Sequence, residues 1–319
     1  MIPPVLDLDV IDAHHHLCRL SAAAYPWLEG PRVVRYHGDD FPLRRDYLID
    51  DYRTDTAELD ALGGRLVGSV HVENGAADPL GESRWIDSVI AENSIPSVQV
   101  VKVDLSSPTA HQQLEAHAEL VSVRGVRDIL NWHPDPVLTH RDRGGLMTDP
   151  AWLAGFAALR EFGFSFDLQV FPGQLRQAAA LAADHGDIPL VLDHAGMPIE
   201  RDPDSLDRWK RDLSAFAAEP NTTVKISALG TNDHHWTVDS IRRIVLDTID
   251  VFGPSRCMFA SNFPVDGLYS TLGALFAAFD GITAGLGHGE RADLFAGTAR
   301  RFYRIVNRPS TPSTDQEHP

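Results

Sequence analysis

Hydrophobic runs alternate with amphipathic segments along the chain, and eight of the runs have the composition of strands. The predicted strands are Val10–His16, Leu66–Glu73, Val98–Leu105, Val123–Leu130, Phe164–Val170, Pro189–His194, Thr223–Leu229 and Cys257–Phe263. The predicted helices between them include Glu82–Glu92, Ala110–Leu120, Trp152–Phe162, Leu175–His185, Leu206–Ala218 and Val238–Val251. Alternation of this kind predicts a parallel sheet, and eight repeats predict one α/β domain closed into a (β/α)8 TIM-like barrel.

Local signals at helix starts support this division. Asp149-Pro150 and Asp202-Pro203 precede two of the helices, where aspartate caps the N-terminus and proline is tolerated in the first turn. A doubly wound open sheet is the alternative fold, but no Gly-x-Gly-x-x-Gly follows a predicted strand. The barrel is expected to span residues 1–307, and residues 308–319 are expected to form a disordered tail.

Two connections are too long to be plain linkers. One runs from Leu17 to Asp55 after the first strand, and the other from Asn131 to Thr148 after the fourth. Loops that follow the strands of a barrel build its active-site face. We therefore expect these loops to wall the substrate site, with Trp27 and Trp132 as substrate contacts.

The composition is that of a globular protein, with 43% hydrophobic and 23% charged residues. A net charge of −17 without any basic cluster argues against nucleic acids and membranes as partners and leaves a small-molecule substrate. Cys18 and Cys257 are too few for a disulfide framework, and neither a signal peptide nor a membrane span is evident. We expect a cytoplasmic protein; the sequence leaves open whether it is a homo-oligomer.

The first predicted strand ends in the sequence Asp12-Ala13-His14-His15-His16. Because side chains alternate between the faces of a strand, His14 and His16 point the same way, and two imidazoles at that spacing can converge on one cation. The alternative is that these histidines belong to a loop and bind nothing.

Polar side chains also end most of the other predicted strands, where barrel enzymes place their catalytic groups. The residues concerned are His71, Glu73, Arg127, Gln169, His194, Lys225 and Asn262. Each has a structural alternative: His71 as a core histidine, Arg127 in an ion pair, Lys225 as a solvated residue. Their recurrence on strand after strand favours a shared site.

Four segments resemble the motifs of the amidohydrolase-related lactonases, the group that contains fuconolactonase-like and rhamnonolactonase-like enzymes. The segments are Ile11–Leu17 with Tyr25–Leu28, Val191–Pro198, Val224–Leu229 and Arg256–Val265. They span nearly the whole chain in order. The resemblance implies a distorted barrel that holds one divalent metal ion, zinc in the first instance and manganese as the alternative.

The resemblance also implies roles for individual residues. His14 and His16 would be metal ligands, Glu73 and His71 could complete the coordination, and His194 would contact the metal or the substrate. Arg127 and Lys225 would hold a substrate carboxylate or polarise a carbonyl group. His71 and Gln169 are further expected substrate contacts.

The implied reaction is hydrolysis of a small carboxylated or polyhydroxylated lactone. In it the metal activates water and polarises the carbonyl, and His194 protonates the departing alkoxide. One departure from the pattern matters: the eighth-strand motif normally carries aspartate where this chain has Asn262. An amide cannot accept the proton of the attacking water, so Asp266 and Glu73 are the candidate replacements.

Two other functions are compatible with the same residues. A non-oxidative decarboxylase or related lyase of a small aromatic or unsaturated acid needs to protonate carbon rather than to activate water, which suits Asn262. A barrel that has lost its catalytic acid could also persist as a binding protein, but the retained histidines and Glu73 argue against this.

Overall fold

The computed structural model describes residues 6–33 and 35–306. Its eight strands are β1 (Asp9–His15), β2 (Arg65–Val72), β3 (Val98–Lys102), β4 (Val123–Ile129), β5 (Ser165–Gln169), β6 (Leu190–Leu192), β7 (Thr222–Ile226) and β8 (Cys257–Phe259). They form one parallel sheet in the order β1 to β8, as the alternation of strand and helix predicted. The tail expected at residues 308–319 lies outside the described residues.

Helices connect the strands and cover the outside of the sheet. The α-helices are α1 (Leu20–Ala23), α2 (Pro26–Glu29), α3 (Ile49–Thr56), α4 (Glu58–Ala61), α5 (Pro79–Glu92), α6 (Ala110–Ala118), α7 (Pro150–Phe162), α8 (Leu175–Asp184), α9 (Pro203–Ala217), α10 (Val238–Phe252), α11 (Leu272–Thr283), α12 (His288–Ala292) and α13 (Thr298–Phe302). Asp149 and Asp202 cap α7 and α9 through backbone N–H groups, as predicted. The long connection after β1 contains α1 to α4. Every helix of the described part is too short or too polar to traverse a bilayer.

The first and last strands meet through one buried carboxylate. Asp12 accepts hydrogen bonds from the Ser261 backbone N–H at 2.8 Å and from its hydroxyl at 2.6 Å. Beyond the strands, the Asn262 N–H donates to the His14 carbonyl at 2.7 Å, and the His16 N–H to the Phe263 carbonyl at 2.8 Å. These contacts nearly close the sheet into a barrel and confirm the predicted fold.

The main core lies between the sheet and its helices, where apolar side chains such as Trp152, Phe156 and Phe166 are fully buried.

Strand ends depart from the prediction in one consistent way. β6 ends before His194 and β8 before Asn262, because these residues have φ values of 58° and 57°, where a strand cannot continue. Ala228 after β7 has a φ of 53° as well. Strained backbone therefore clusters at one end of the barrel.

Candidate active site

A cavity of about 340 Å³ opens at that end of the barrel. Among the side chains that line it are His16, Trp27, Glu73, Arg127, Gln169, His194 and Asn262, all expected from the sequence to belong to a site. They come from strands and loops far apart along the chain. The barrel therefore brings most of the predicted residues into one cavity.

His14, Asp193 and His194 form a cluster that can hold a metal ion, since each offers a ligand atom within 4.8 Å of the others. All three side chains are buried, at 5% exposure or less. His14 Nε2 and Asp193 Oδ2 make no hydrogen bond with any residue that the structure describes, while Asp193 Oδ1 lies 3.1 Å from Lys225 Nζ. Buried polar atoms without partners are rare, and a cation would satisfy these. The donor set of two imidazoles and one carboxylate is a usual zinc site.

Hydrogen bonds to neighbouring residues orient the rings of His16 and His194. His16 Nδ1 lies 2.8 Å from the Val72 carbonyl, and His194 Nδ1 lies 2.8 Å from Ser227 Oγ. Burial lowers the pKa of His16 to about 4 and that of His194 to about 3, so both rings are neutral near pH 7. Neutral rings with one nitrogen fixed by a hydrogen bond are the form in which histidine binds metals. The rings of His14 and His16 lie 4.9 Å apart.

Asp193 was absent from the predicted site, and the backbone explains why. Alternation along a strand would send Asp193 and His194 to opposite faces of the sheet. The left-handed conformation of His194 and Ala195 turns the chain and brings both side chains to the same place. The sequence offered only the adjacency of an aspartate and a histidine at a strand end, which does not specify this turn.

Lys225 does not reach the cavity, in contrast to its predicted contact with the substrate. Its side chain is fully buried, with Nζ 2.5 Å from Asp167 Oδ2 and 3.1 Å from Asp193 Oδ1. Nζ also lies 3.2 Å from His14 Nδ1. The Lys225 ammonium group is thus paired with two carboxylates of the protein. One of them, Asp193, belongs to the candidate metal cluster, so Lys225 helps to hold that cluster in place.

Glu73, which lines the same cavity as His16 and His194, forms an ion pair with Arg127. Arg127 Nε donates to Glu73 Oε1 at 2.7 Å, and the Gly75 N–H donates to Oε2 at 2.7 Å. Although burial opposes its ionisation, the Arg127 charge holds the pKa of Glu73 at about 2. Both Glu73 oxygens therefore already accept a hydrogen bond from the protein. Arg127 is likewise matched by a carboxylate.

The Asn262 amide lies between His16 and Asp266. Asp266 is buried beside this amide and the backbone of Ala228 and Thr231, and it does not itself line the cavity. Burial raises the pKa of Asp266 to about 8, although these neighbours favour the charged form. Asp266 is therefore a buried carboxyl group with a raised pKa, directly behind a residue of the cavity wall.

Two expected substrate contacts lie elsewhere. His71 is buried beneath the loop after β1, where its Nδ1 accepts the Leu17 N–H at 3.1 Å, and it does not line the cavity. Trp132 is 40% exposed and lines a separate groove beside α9. Trp27, by contrast, lines the cavity, and its Nε1 donates to the Asn74 carbonyl at 2.7 Å.

Comparison with known proteins places these features in context. Residues 11–305 match the family model described as amidohydrolase. The chain is 35% identical over 301 residues to the uncharacterized protein y4mH of Sinorhizobium fredii, covering 94% of this chain and 99% of that protein. It is 30% identical over 309 residues to an L-fucono-1,5-lactonase of Burkholderia multivorans, covering 92% of this chain and 96% of the lactonase.

A similar solved structure is that of an amidohydrolase from Burkholderia multivorans with bound zinc. That structure is 27% identical to this chain and superposes on it with a TM-score of 0.76. The match covers 93% of this chain and 99% of the Burkholderia chain. A second structure of a Burkholderia multivorans amidohydrolase, with bound HEPES, is 28% identical with the same coverage and a TM-score of 0.76.

Proposed function

Since the chain belongs to the amidohydrolase family and is an enzyme of the hydrolase type, we propose that it opens the ring of a small polar lactone. The observation that carries this proposal is the convergence of His14, Asp193 and His194 beside the cavity, within 4.8 Å of one another. The similarity to a lactonase over nearly the whole chain supports the choice of lactones among the esters and amides that such enzymes hydrolyse.

We propose that His14, Asp193 and His194 hold a divalent metal, with His16 next to them. The zinc ion in a related structure supports this assignment. When bound, such an ion supplies a Lewis acid for the lactone carbonyl and lowers the pKa of water. His194 has one nitrogen committed to Ser227, so the same ring cannot serve at once as ligand and as acid. This assignment leaves the protonation of the alkoxide to another residue.

Asp266 is our candidate for both proton transfers. Because Asp266 lies behind Asn262 and not in the cavity wall, both transfers would run through one intervening water, and its pKa of about 8 suits it to take the proton and return it to the alkoxide leaving group. Asn262, which cannot take a proton, holds its amide between His16 and Asp266 and orients the reacting groups. We do not assign this role to Glu73, because its pairing with Arg127 holds its pKa at about 2, far below that of an effective base near neutral pH.

Turnover of lactones with and without bound zinc tests the proposal. Purified protein would be assayed with a panel of five- and six-membered sugar lactones and carboxylated lactones, following acid release. We expect hydrolysis by the zinc-loaded protein, loss of the activity after chelation and its return on adding zinc. Failure of the zinc-loaded protein to open any lactone would disprove the proposal.

A decarboxylase is the second candidate, and the protonation state of Asp266 is what favours it. A carboxyl group with a pKa of about 8 is mostly protonated at pH 7 and can donate to carbon. Release of carbon dioxide from carboxylated aromatic acids, measured beside lactone opening, separates the two reactions.

We also propose a cytoplasmic location, which the free, buried thiols of Cys18 and Cys257 support.

A further inference from the structure

The charges around the cavity are unlike those of the chain as a whole. The protein carries 45 acidic and 28 basic residues, yet its cavity is lined by four cations and two carboxylates: Arg35, Lys102, Arg127 and Arg141 with Glu73 and Asp128. Both carboxylates are committed, Glu73 to Arg127 and Asp128 to Arg141. Lys102 and Arg35 also line the cavity and form no ion pair with a carboxylate among the residues described, although the charge of Lys102 acts on Glu73.

Lys102 stands at the end of β3, directly opposite Arg127 on β4. Like charges at paired positions of neighbouring strands repel each other unless an anion lies between them. Glu73 supplies one negative charge, but its oxygens bond to Arg127 and to the Gly75 N–H. The side chain of Lys102 makes no hydrogen bond or ion pair within the described part of the chain. One further negative charge at this edge of the cavity would balance the pair.

Arg35 approaches the same cavity from the loop after β1. Its Nε is buried and has no hydrogen-bond partner in residues 6–33 and 35–306. A buried guanidinium donor without an acceptor costs free energy that a bound anion would offset. Burial lowers the pKa of His140, which also lines the cavity, and the charges of Glu73, Arg127, Lys102 and Arg35 all act on this imidazole. The two unmatched cations thus border one common region.

We propose that Lys102 and Arg35 form an anion subsite that binds a carboxylate group of the substrate, so that the preferred substrate is an anionic lactone. This inference rests on the proposed lactone hydrolysis and narrows it. It also moves carboxylate recognition away from Arg127 and Lys225, which were expected to provide it. Both of these are neutralised by carboxylates of the protein itself. A positive cavity in an acidic protein also draws an anion towards the site.

Matched substrates test the subsite. A six-membered lactone bearing a carboxylate and the same lactone bearing a carboxamide would be compared by kcat/KM. We expect the wild type to prefer the carboxylate by about tenfold or more, the effect of one hydrogen-bonded charge pair. Lys102→Met and Arg35→Gln should each remove most of this preference. Lys210→Met, a surface change that also removes one positive charge, should keep the wild-type ratio. If both cavity variants keep the wild-type ratio of kcat/KM for the two lactones, the assignment is wrong. Lys102→Gln replaces Lys102→Met if Lys102→Met does not fold.

Binding measurements separate this inference from the proposed hydrolysis. Calorimetry with the zinc-loaded protein would compare adipate with adipamate, which differ by one carboxylate. Selective binding of adipate, weakened in Lys102→Met, supports the subsite even if no lactone is opened, in which case the proposed hydrolysis alone fails. Turnover of lactones without any preference for the charged ligand overturns the subsite alone. Tighter binding of inorganic phosphate than of adipate would also overturn it, because the subsite would then be specific for another anion.

Discussion

The ammonium group of Lys225 lies 3.1 Å from the Asp193 carboxylate, below the cluster of His14, Asp193 and His194. It is also paired with Asp167, whose Oδ2 accepts a further hydrogen bond from the Tyr303 hydroxyl at 2.7 Å. These contacts fix Asp193 in a position from which it can meet the two imidazoles. Lys225, which the sequence predicted to contact the substrate, therefore holds a residue of the candidate metal cluster in position.

Removing Lys225 should destabilise the protein rather than weaken substrate binding alone. Lys225→Met leaves Asp167 and Asp193 buried without a cation, and breaking a buried ion pair costs about 3–5 kcal/mol. Urea unfolding should report a loss of this size. Lys210→Met removes a partly exposed lysine from a surface ion pair and should cost no more than about 1 kcal/mol. Equal stabilities of the two variants would contradict the role given to Lys225.

Replacing a proposed ligand should remove the metal. His14→Asn deletes an imidazole whose Nε2 is buried and unpaired within the described residues, so we expect the zinc content after dialysis to fall at least about tenfold. Elemental analysis per chain provides the measurement. His111→Asn changes an exposed histidine that pairs with Glu161, and its zinc content should match that of the wild type. Retention of a full equivalent of zinc by His14→Asn would exclude this site.

The pH dependence of lactone opening should reflect Asp266. As a base with a pKa of about 8 it is active when deprotonated, so kcat should rise as the pH increases towards 8 and level off above it. Asp266→Asn should lower kcat by about 10²- to 10⁴-fold and abolish that rise. The surface variant Asp239→Asn is the control. A wild-type rate that falls through pH 8 would show that Asp266 acts as an acid instead.

Glu82 offers a test through stability alone. It is 2% exposed, and burial, aided by the charge of Glu73, raises its pKa from the usual 4.5 to about 8. The folded state therefore keeps a proton that the unfolded chain releases, and this contribution to stability declines as the pH rises from about 4.5 to 8.

Glu82→Gln mimics the protonated form and can still accept the Asn74 N–H. It should raise the Tm by at least about 2 °C at pH 8 and change it little at pH 4.5. Glu92→Gln, at the exposed end of the same helix, should have no such effect. A gain in Tm that is the same at both pH values would contradict the buried-proton explanation.

Sequence patterns predicted the fold well, because the barrel follows from local periodicity. The strands from β1 to β8 lie within a few residues of the predicted runs, and α10 differs from its predicted span by a single residue, Phe252. The short helices inside the first long loop were missed, since segments of four residues such as α1 carry too little periodicity to be recognised.

The site was harder to predict, because its geometry depends on backbone turns and on competition between charges. The alternation of His14 and His16 correctly placed two rings side by side. Asp193 was missed because the left-handed turn at His194 is not encoded in any pattern of hydrophobicity. A cation is available to the substrate only if no carboxylate of the protein pairs with it. The sequence does not show that Glu73 pairs with Arg127 and Asp167 with Lys225, whereas the structure does.

The Asp12–Ser261 contact that joins β1 to β8 links positions 249 residues apart. Contacts this distant in sequence form late in folding, because a long loop must close first. His14 and His16 therefore acquire their neighbour Asn262 only after the segment that carries β8 has been synthesised and has docked on β1. A nascent chain that stops before β8 lacks Asn262 and the segment that pairs with β1, so it cannot complete the cavity.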